Sequence, residues 1–425
     1  MNKEIETRLP SGITVYRYGN PDSHSFYISL FVKAGSMYES EKDSGITHFL
    51  EHAIIRNVNA VMRGGLYPLL DRYGIEFNAS TYSEMVQFYV SGASEHFDIG
   101  AEIISKVLSP IVLSPGEISA EAARIRAEIR ENDERSSLSG FTSGIVHAGT
   151  TLARSITGTP TSVGSITRSR LESYRKSVFT SGNVFLYLSG KVGEREEKII
   201  FDTFSDISLE NGVIRDNMAP VSRNFGKRAP EVHIKSADYT MLRFTFDMDM
   251  SHISVEESDL LYDTLLGGYS SRLFIELSEK RGIFYDISGA TERYANIGTF
   301  SFFFEVKAGD VISAVGEVFR ILEDIVKNGF SADECMKAGY VDNAYMLYDD
   351  VRETNFTFAY DNHILNAGYK SIEERRARYE AVTVERLRYV ADRIFRPENL
   401  TLTAKGNKKR IDTDALVSLI KSFRS

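Results

Sequence analysis

The sequence predicts an α+β protein made of two related halves, each a mostly antiparallel sheet covered by helices. Three observations predict it. At 425 residues the chain is too long for one ordinary hydrophobic core and calls for two to three domains. Strand-like runs rich in β-branched and aromatic residues alternate with helix-periodic stretches along its whole length. Finally, Leu69 to Phe77 can be laid over Leu277 to Tyr285, each a helix end followed by a glycine and a strand-like run, as an internal repeat requires.

The elements follow in order. Leu9-Pro10-Ser11-Gly12 is a turn, and Ile13 to Tyr18 and then Phe26 to Val32 are strand-like, so a hairpin is expected there. Asp43-Ser44-Gly45 is an N-cap cluster opening a helix to about Ile55. A second helix covers Leu66 to Tyr73 and stops at Gly74. Two strands, over 75–82 and 86–91, lead to helical sequence from Ser94 to Leu108. Ser114-Pro115-Gly116-Glu117 combines a capping-box pattern with proline at the first helical position, so a long helix runs from it to about Arg135. Residues 136–165 are rich in Ser, Thr and Gly and read as loop, with one helical piece near His147. A helix over 167–177 and a strand over 183–188 close the first half. Asn, Gly and Pro punctuate 211–230, which reads as a linker between a first domain (1–210) and a second (231–425). The second half repeats the outline: a strand over 239–250, a helix over 254–266, a strand over 298–306, helices to about Ile394 and a final strand from Leu400 to Ala404.

Composition narrows the function. The net charge of −9 and pI near 5.6 argue against nucleic acid or an anionic membrane as main partner, because phosphate binding needs clustered Lys and Arg. No apolar run approaches the ~18 residues of a membrane span, and the first residues show no secretory signal, so a cytoplasmic protein is expected. Cys335 is the single cysteine; it allows no intramolecular disulfide and no thiolate-rich metal site.

One stretch carries chemistry: His48-Phe49-Leu50-Glu51-His52. On a helix each residue turns about 100°, so His48 and His52 project from one face and can reach a single ion. Glu51 then lies beside the ion's open position, where a water would bind. This H-x-x-E-H order inverts the familiar H-E-x-x-H signature. It needs a third ligand; without one, a helix bearing two solvated histidines and a surface glutamate accounts for the same letters. On the long helix, Glu121, Ile125 and Glu128 share one face. Two acids interleaved with apolar residues are candidates for a site, and an acid-rich solvated helix is the other reading.

These residues, with Ala34-Gly35-Ser36 and Glu39, Gly45 through His52, Phe77-Asn78-Ala79-Ser80-Thr81, Gly158-Thr159-Pro160 and Gly267-Gly268 through Tyr285, resemble the M16 metallopeptidases (pitrilysin, insulin-degrading enzyme and mitochondrial processing peptidase), most closely the short bacterial members. The resemblance spans most of both halves in family order. It implies two domains facing each other, or a partner, across a substrate chamber. It implies one Zn2+ per chain held by His48, His52 and Glu128, which stands about 76 residues beyond the second His. Glu51 would be the base, Glu121 a carboxylate supporting the ligands, and Asn78, Ala79 and Ser80 the strand that pairs with an extended peptide substrate. The family's second half supplies an Arg and a Tyr seven residues apart to bind substrate and stabilise the oxyanion; here the positions read Ser278 and Tyr285. Because Ser cannot replace a fixed positive charge, the expected protein is the zinc subunit of a heteromeric pair whose partner carries the Arg/Tyr pair, processing a precursor or leader peptide. The alternatives are a homodimer degrading oligopeptides generally, or a non-catalytic peptide-binding or assembly subunit.

Overall fold

The computed structural model describes residues 3–131, 137–212, 216, 218–219, 231–234, 238–335 and 350–424. The chain divides into two compact units, each assembled from separate stretches: Met1–Asp133, Arg154–Asn217 and Tyr345–Ile372 in the first, Glu134–Ala153, Met218–Ala344 and Glu373–Ser425 in the second.

The first unit is built on a six-stranded sheet of β1 (Ile5–Arg8), β2 (Thr14–Gly19), β3 (Ser25–Val32), β4 (Glu76–Thr81), β5 (Val86–Ala93) and β6 (Val184–Gly190), in the order β1-β2-β6-β3-β5-β4. β2 and β6 run parallel; the other neighbours are antiparallel. The second unit has β7 (Glu231–Ile234), β8 (Tyr239–Asp249), β9 (Ile287–Arg293), β10 (Ile297–Lys307) and β11 (Leu400–Gly406), in the order β7-β11-β8-β10-β9, again with one parallel pair, β7 and β11. With β1 set aside the two sheets correspond strand for strand. The repeat expected from Leu69–Phe77 and Leu277–Tyr285 is therefore real, and the glycines that anchor it, Gly74 and Gly282, take left-handed φ values of 60° and 61°.

Alternation along β3 serves two layers. Phe26, Ile28, Leu30 and Val32 enter a core with helices α1 (Ile46–Val61), α2 (Leu66–Tyr73) and α3 (Phe97–Ser105). Phe31 instead joins an aromatic cluster with Tyr18, Phe185, Tyr187 and Phe358. Phe358 belongs to the helix Val351–His363, which covers this second face and satisfies its buried polar groups: Asn355 Nδ2 donates to the carbonyls of Tyr27 and Tyr187, and its Oδ1 accepts from Ser29 Oγ at 2.6 Å. In the second unit the matching role falls to Leu138–Val146, where Thr142 and Thr403 share a 2.6 Å hydroxyl hydrogen bond. Each unit thus takes one helix from the other half of the sequence. A single cut near 211–230 would not separate them, and of that stretch only 211, 212, 216, 218 and 219 lie within the described residues.

Other expectations change. β2 and β3 do not form a hairpin, because β6 is inserted between them and bonds both. α1 runs six residues past Ile55, since Asn57 bridges it to the following loop by donating to the Pro110 carbonyl and accepting from the Val112 N–H. The stretch 136–165 is more helical than its Ser/Thr/Gly content suggests, containing Leu138–Val146 and Pro160–Ser165. Helices Glu194–Phe204 and Thr413–Ser422, and strand β7, were not expected. Residues 283–286 are not a strand; β9 begins only at Ile287. Among the described residues, no helix is long and apolar enough to cross a membrane.

Candidate metal centre

α1 enters the site through a backbone arrangement that its sequence alone does not explain. Its N-cap, Gly45, has φ 85° and offers no side chain to the first turn. The buried Glu39 carboxylate does that work instead, accepting the N–H groups of Gly45 at 2.7 Å and Thr47 at 2.9 Å, so a negative charge sits on the positive end of the helix. Gly45 and Gly158 lie back to back: a Cβ on Gly45 would stand 2.6 Å from the Thr157 carbonyl oxygen, and one on Gly158 would stand 2.5 Å from that of Ser44. Thr159 and Ser162 then form a capping box with Pro160 at the first helical position. These contacts fix where the first turn of α1, with His48 on it, is placed.

Helix α4 (Pro115–Glu131) packs on α1 and brings the two glutamates. His48 Nε2 lies 3.7 Å from Glu128 Oε1, and His52 Nε2 lies 3.5 Å from Glu128 Oε2. The ligand atoms of His48, His52 and Glu128 all fall within 4.8 Å of one another. Such gaps are too long for good hydrogen bonds but suit three donors that each reach an ion at roughly 2.0–2.2 Å. Two imidazoles and a carboxylate with an open position are a zinc-type donor set, so these residues fit the metal.

The surroundings orient that set. Glu121 is only 1% exposed and accepts from His52 Nδ1 at 3.0 Å and from Arg56 Nη1 at 2.8 Å. With Nδ1 so engaged, Nε2 of His52 is the nitrogen turned to Glu128. Burial, and secondarily His52, pulls the His48 pKa down to about 4, so this imidazole is neutral near pH 7, as a ligand must be. Burial also lowers His52, but the Glu121 hydrogen bond and the charges of Glu51, Glu128 and Glu121 outweigh it and the net shift is upward. Glu121 shows the reverse balance: burial raises it, and the hydrogen bonds from His52 and Arg56 bring it below the ordinary carboxylate value.

Glu51 is buried beside this trio, and its Oε2 accepts from Thr81 Oγ1 at 2.6 Å. Burial raises its pKa against that hydrogen bond and the nearby His52, making it a better proton acceptor than a solvated glutamate. Thr81 ends β4, which pairs with β5 on one side and is the last strand of its sheet. Asn78, Ala79 and Ser80 lie on this edge, and the Ala79 N–H donates to Asn78 Oδ1 at 2.8 Å.

The structure brings together His48, Glu51, His52, Glu121 and Glu128, with Asn78 to Ser80 on the strand that holds Glu51. Tyr285 belongs to the second unit, where its side chain is 97% exposed. Ser278 Oγ is tied back to the Phe284 carbonyl at 2.9 Å. Neither nearby arginine is available in its place: Arg272 is bound to Glu334, Asp324 and the Gly329 carbonyl, and Arg281 pairs with Glu317 at 3.0 Å. The sequence assigned no supporting role to Arg56 or to Thr81, although Thr81 closes the Phe77–Thr81 stretch quoted for the resemblance. Arg56 carried a signal, standing four residues after His52 on the same helix face.

Residues 14–160 match the family described as Insulinase (Peptidase family M16), and residues 165–338 match its companion, Peptidase M16 inactive domain. The chain is 28% identical to an uncharacterized zinc protease of Rickettsia felis, over 70% of this chain and 72% of that one. It is 22% identical to an uncharacterized zinc protease of Mycobacterium leprae, over 92% and 88%. Its fold is similar to that of a protease from Helicobacter pylori, with a TM-score of 0.83 at 16% identity, covering 96% of this chain and 100% of the other.

Proposed function

The chain belongs to peptidase family M16, and on that premise we propose that it is a zinc-dependent endopeptidase with one metal site, carried by the first unit. The observation that carries the proposal is the convergence of His48, His52 and Glu128 on one point with the buried Glu51 beside it. Zinc bound there would supply Lewis-acid polarisation of the scissile carbonyl and acidify the attacking water.

The chain's own residues do the rest. An extended peptide adds to the free edge of β4, replacing the Asn78 side chain at the Ala79 N–H with a backbone carbonyl, so recognition is largely independent of substrate sequence. Glu51, held at Oε2 by Thr81, takes the proton of the attacking water on Oε1. The C–N bond then breaks, and Glu51 returns that proton to the leaving amine nitrogen. Glu121 and Arg56 keep His52 in register throughout.

The second unit lacks the family's arginine at Ser278, and Arg272 and Arg281 are committed elsewhere. This supports a chain that acts as the zinc subunit of a pair, its partner providing the Arg/Tyr function, on a precursor or leader peptide. A fully exposed Tyr285 favours the second reading, a homodimer in which that tyrosine alone serves the oxyanion of general oligopeptides. The test is zinc content and cleavage of an unstructured fluorogenic peptide. Glu51→Gln should keep zinc and lose cleavage by about 10²–10⁴-fold; Glu128→Gln should lose zinc. Full activity in Glu51→Gln, or full zinc in Glu128→Gln, removes that residue from its role.

A further inference from the structure

Away from the metal centre, the first unit contains a cavity of about 500 Å³ lined by Arg8, Tyr16, Lys33, Ser181, His363 and Asn366, among others. Its charge is unlike that of the chain. The whole sequence has 59 Asp and Glu against 50 Lys and Arg, yet among the described residues no carboxylate lines this space. Among the described residues, neither the Arg8 guanidinium nor the Lys33 ammonium is held in an ion pair.

Both cations sit on fixed backbone. Arg8 ends β1, and Lys33 follows β3, with its N–H bonded to the Asn183 carbonyl at 3.0 Å and its own carbonyl accepting from Asn183 Nδ2 at 2.9 Å. An aromatic stack forms another part of the lining. Tyr16 and His363 stack with ring centroids 3.6 Å apart. Behind them Glu4, which does not line the cavity, accepts from Tyr187 Oη at 2.8 Å and Asn362 Nδ2 at 2.9 Å and lies 3.3 Å from His363 Nε2. Among the described residues, Glu6 also acts on Tyr16 and Asp216 on Lys33. Lys33 is half-buried, and its burial disfavours the charged form despite Asp216; an anion in the cavity would offset that desolvation. The volume lies within the roughly 300–1,000 Å³ of small-molecule sites.

We propose that this cavity binds a small organic molecule bearing at least two oxyanion groups, gripped by Arg8 and Lys33 with neutral donors such as Ser181 and Asn366 around it. Phosphate esters and dicarboxylates share that chemistry. The inference does not depend on the peptidase reading. It is tested by isothermal titration of the zinc-loaded full chain with fructose 1,6-bisphosphate and, separately, with succinate. One of the two probes should bind saturably at a single site, which identifies the source of the oxyanions. Its affinity should fall about ten- to a hundred-fold in Lys33→Met and in Arg8→Gln, fall with added salt, and stay unchanged in Lys421→Gln. Arg8 is exposed, so Arg8→Gln reports on the site even if Lys33→Met fails to fold. The proposal is overturned if neither probe binds saturably, or if binding survives in Arg8→Gln, as it would for a probe held by the zinc.

Discussion

Replacing Glu121 by leucine separates holding the metal from aiming its ligand, because this residue reaches the site only through His52. The substitution removes the 3.0 Å hydrogen bond to His52 Nδ1 and the 2.8 Å contact with Arg56, leaving His48, Glu128 and the imidazole of His52 in place. His52 is then free to rotate and to change tautomer. Partners of metal-ligating histidines are typically worth 10- to 100-fold in metal affinity, or about 1.4–2.7 kcal/mol. Leucine should cost the upper part of that range, since nothing remains to accept from Nδ1. Glu121→Gln should cost the lower part: its amide oxygen can still accept from His52, while its NH2 group faces the Arg56 donor. The assay is zinc competition against a chromophoric chelator at fixed pH, with thermal unfolding of the metal-free proteins as a check on folding. If Glu121→Leu bound zinc as tightly as the parent chain, the argument that Glu121 sets the orientation of His52 would be wrong.

Adding Ser278→Arg restores the residue that its family places there, and should raise peptide cleavage by the isolated chain by up to about 10²-fold; an unchanged rate would mean the second unit's contribution lies elsewhere. Gly45→Ala and Gly158→Ala should each destabilise the first unit by about 1–3 kcal/mol in denaturant titrations, because a side chain is forced into left-handed backbone against a neighbouring carbonyl. Arg272, with help from the Ser331 N–H, holds Glu334 down to about 2, against the cost of burial. A depressed carboxyl stabilises the fold fully above its ordinary range and loses that contribution as pH falls toward 2. Glu334→Gln should therefore lower stability most at pH 7 to 8, where the ionised pair contributes fully, and least near pH 2, which flattens the acid side of the profile; an acid limb identical to the parent's would count against the pair.

The sequence made the metal centre legible only in pieces. H-x-x-E-H marks two candidate ligands and a candidate base by helical spacing alone, because i and i+4 share a face. Glu128 could be suspected from its face on the long helix, but its pairing with His48 and His52 is a contact between distant segments that no local pattern encodes; family resemblance pointed to it. Thr81 was hidden for the same reason: a threonine at a strand end is ordinary until the fold sets a glutamate 2.6 Å from it. Most strands followed from runs of β-branched and aromatic residues and most long helices from periodicity, although β3 and β6 are buried on both faces. The β2–β3 hairpin failed because short sequence separation suggested pairing, whereas β6, more than 150 residues on, fits between them. The helix Leu138–Val146 was obscured by Ser, Thr and Gly, residues that weaken intrinsic helix propensity and are overridden when a sheet face needs covering.

The exchange of covering helices bears on how this protein could have arisen and how it can be taken apart. A duplicated ancestor made of two identical copies would have each copy lending one helix to the other, so neither half is a freely transplantable module. Cleaving the chain at an engineered site between 220 and 230 should give two fragments that remain interlocked under native conditions. Each fragment expressed alone would lack one layer of its own sheet and expose the aromatic or hydroxyl-rich face beneath it. Truncation at the apparent midpoint is therefore a poor way to obtain the unit that carries the candidate metal centre, which needs residues 351–363 to be complete.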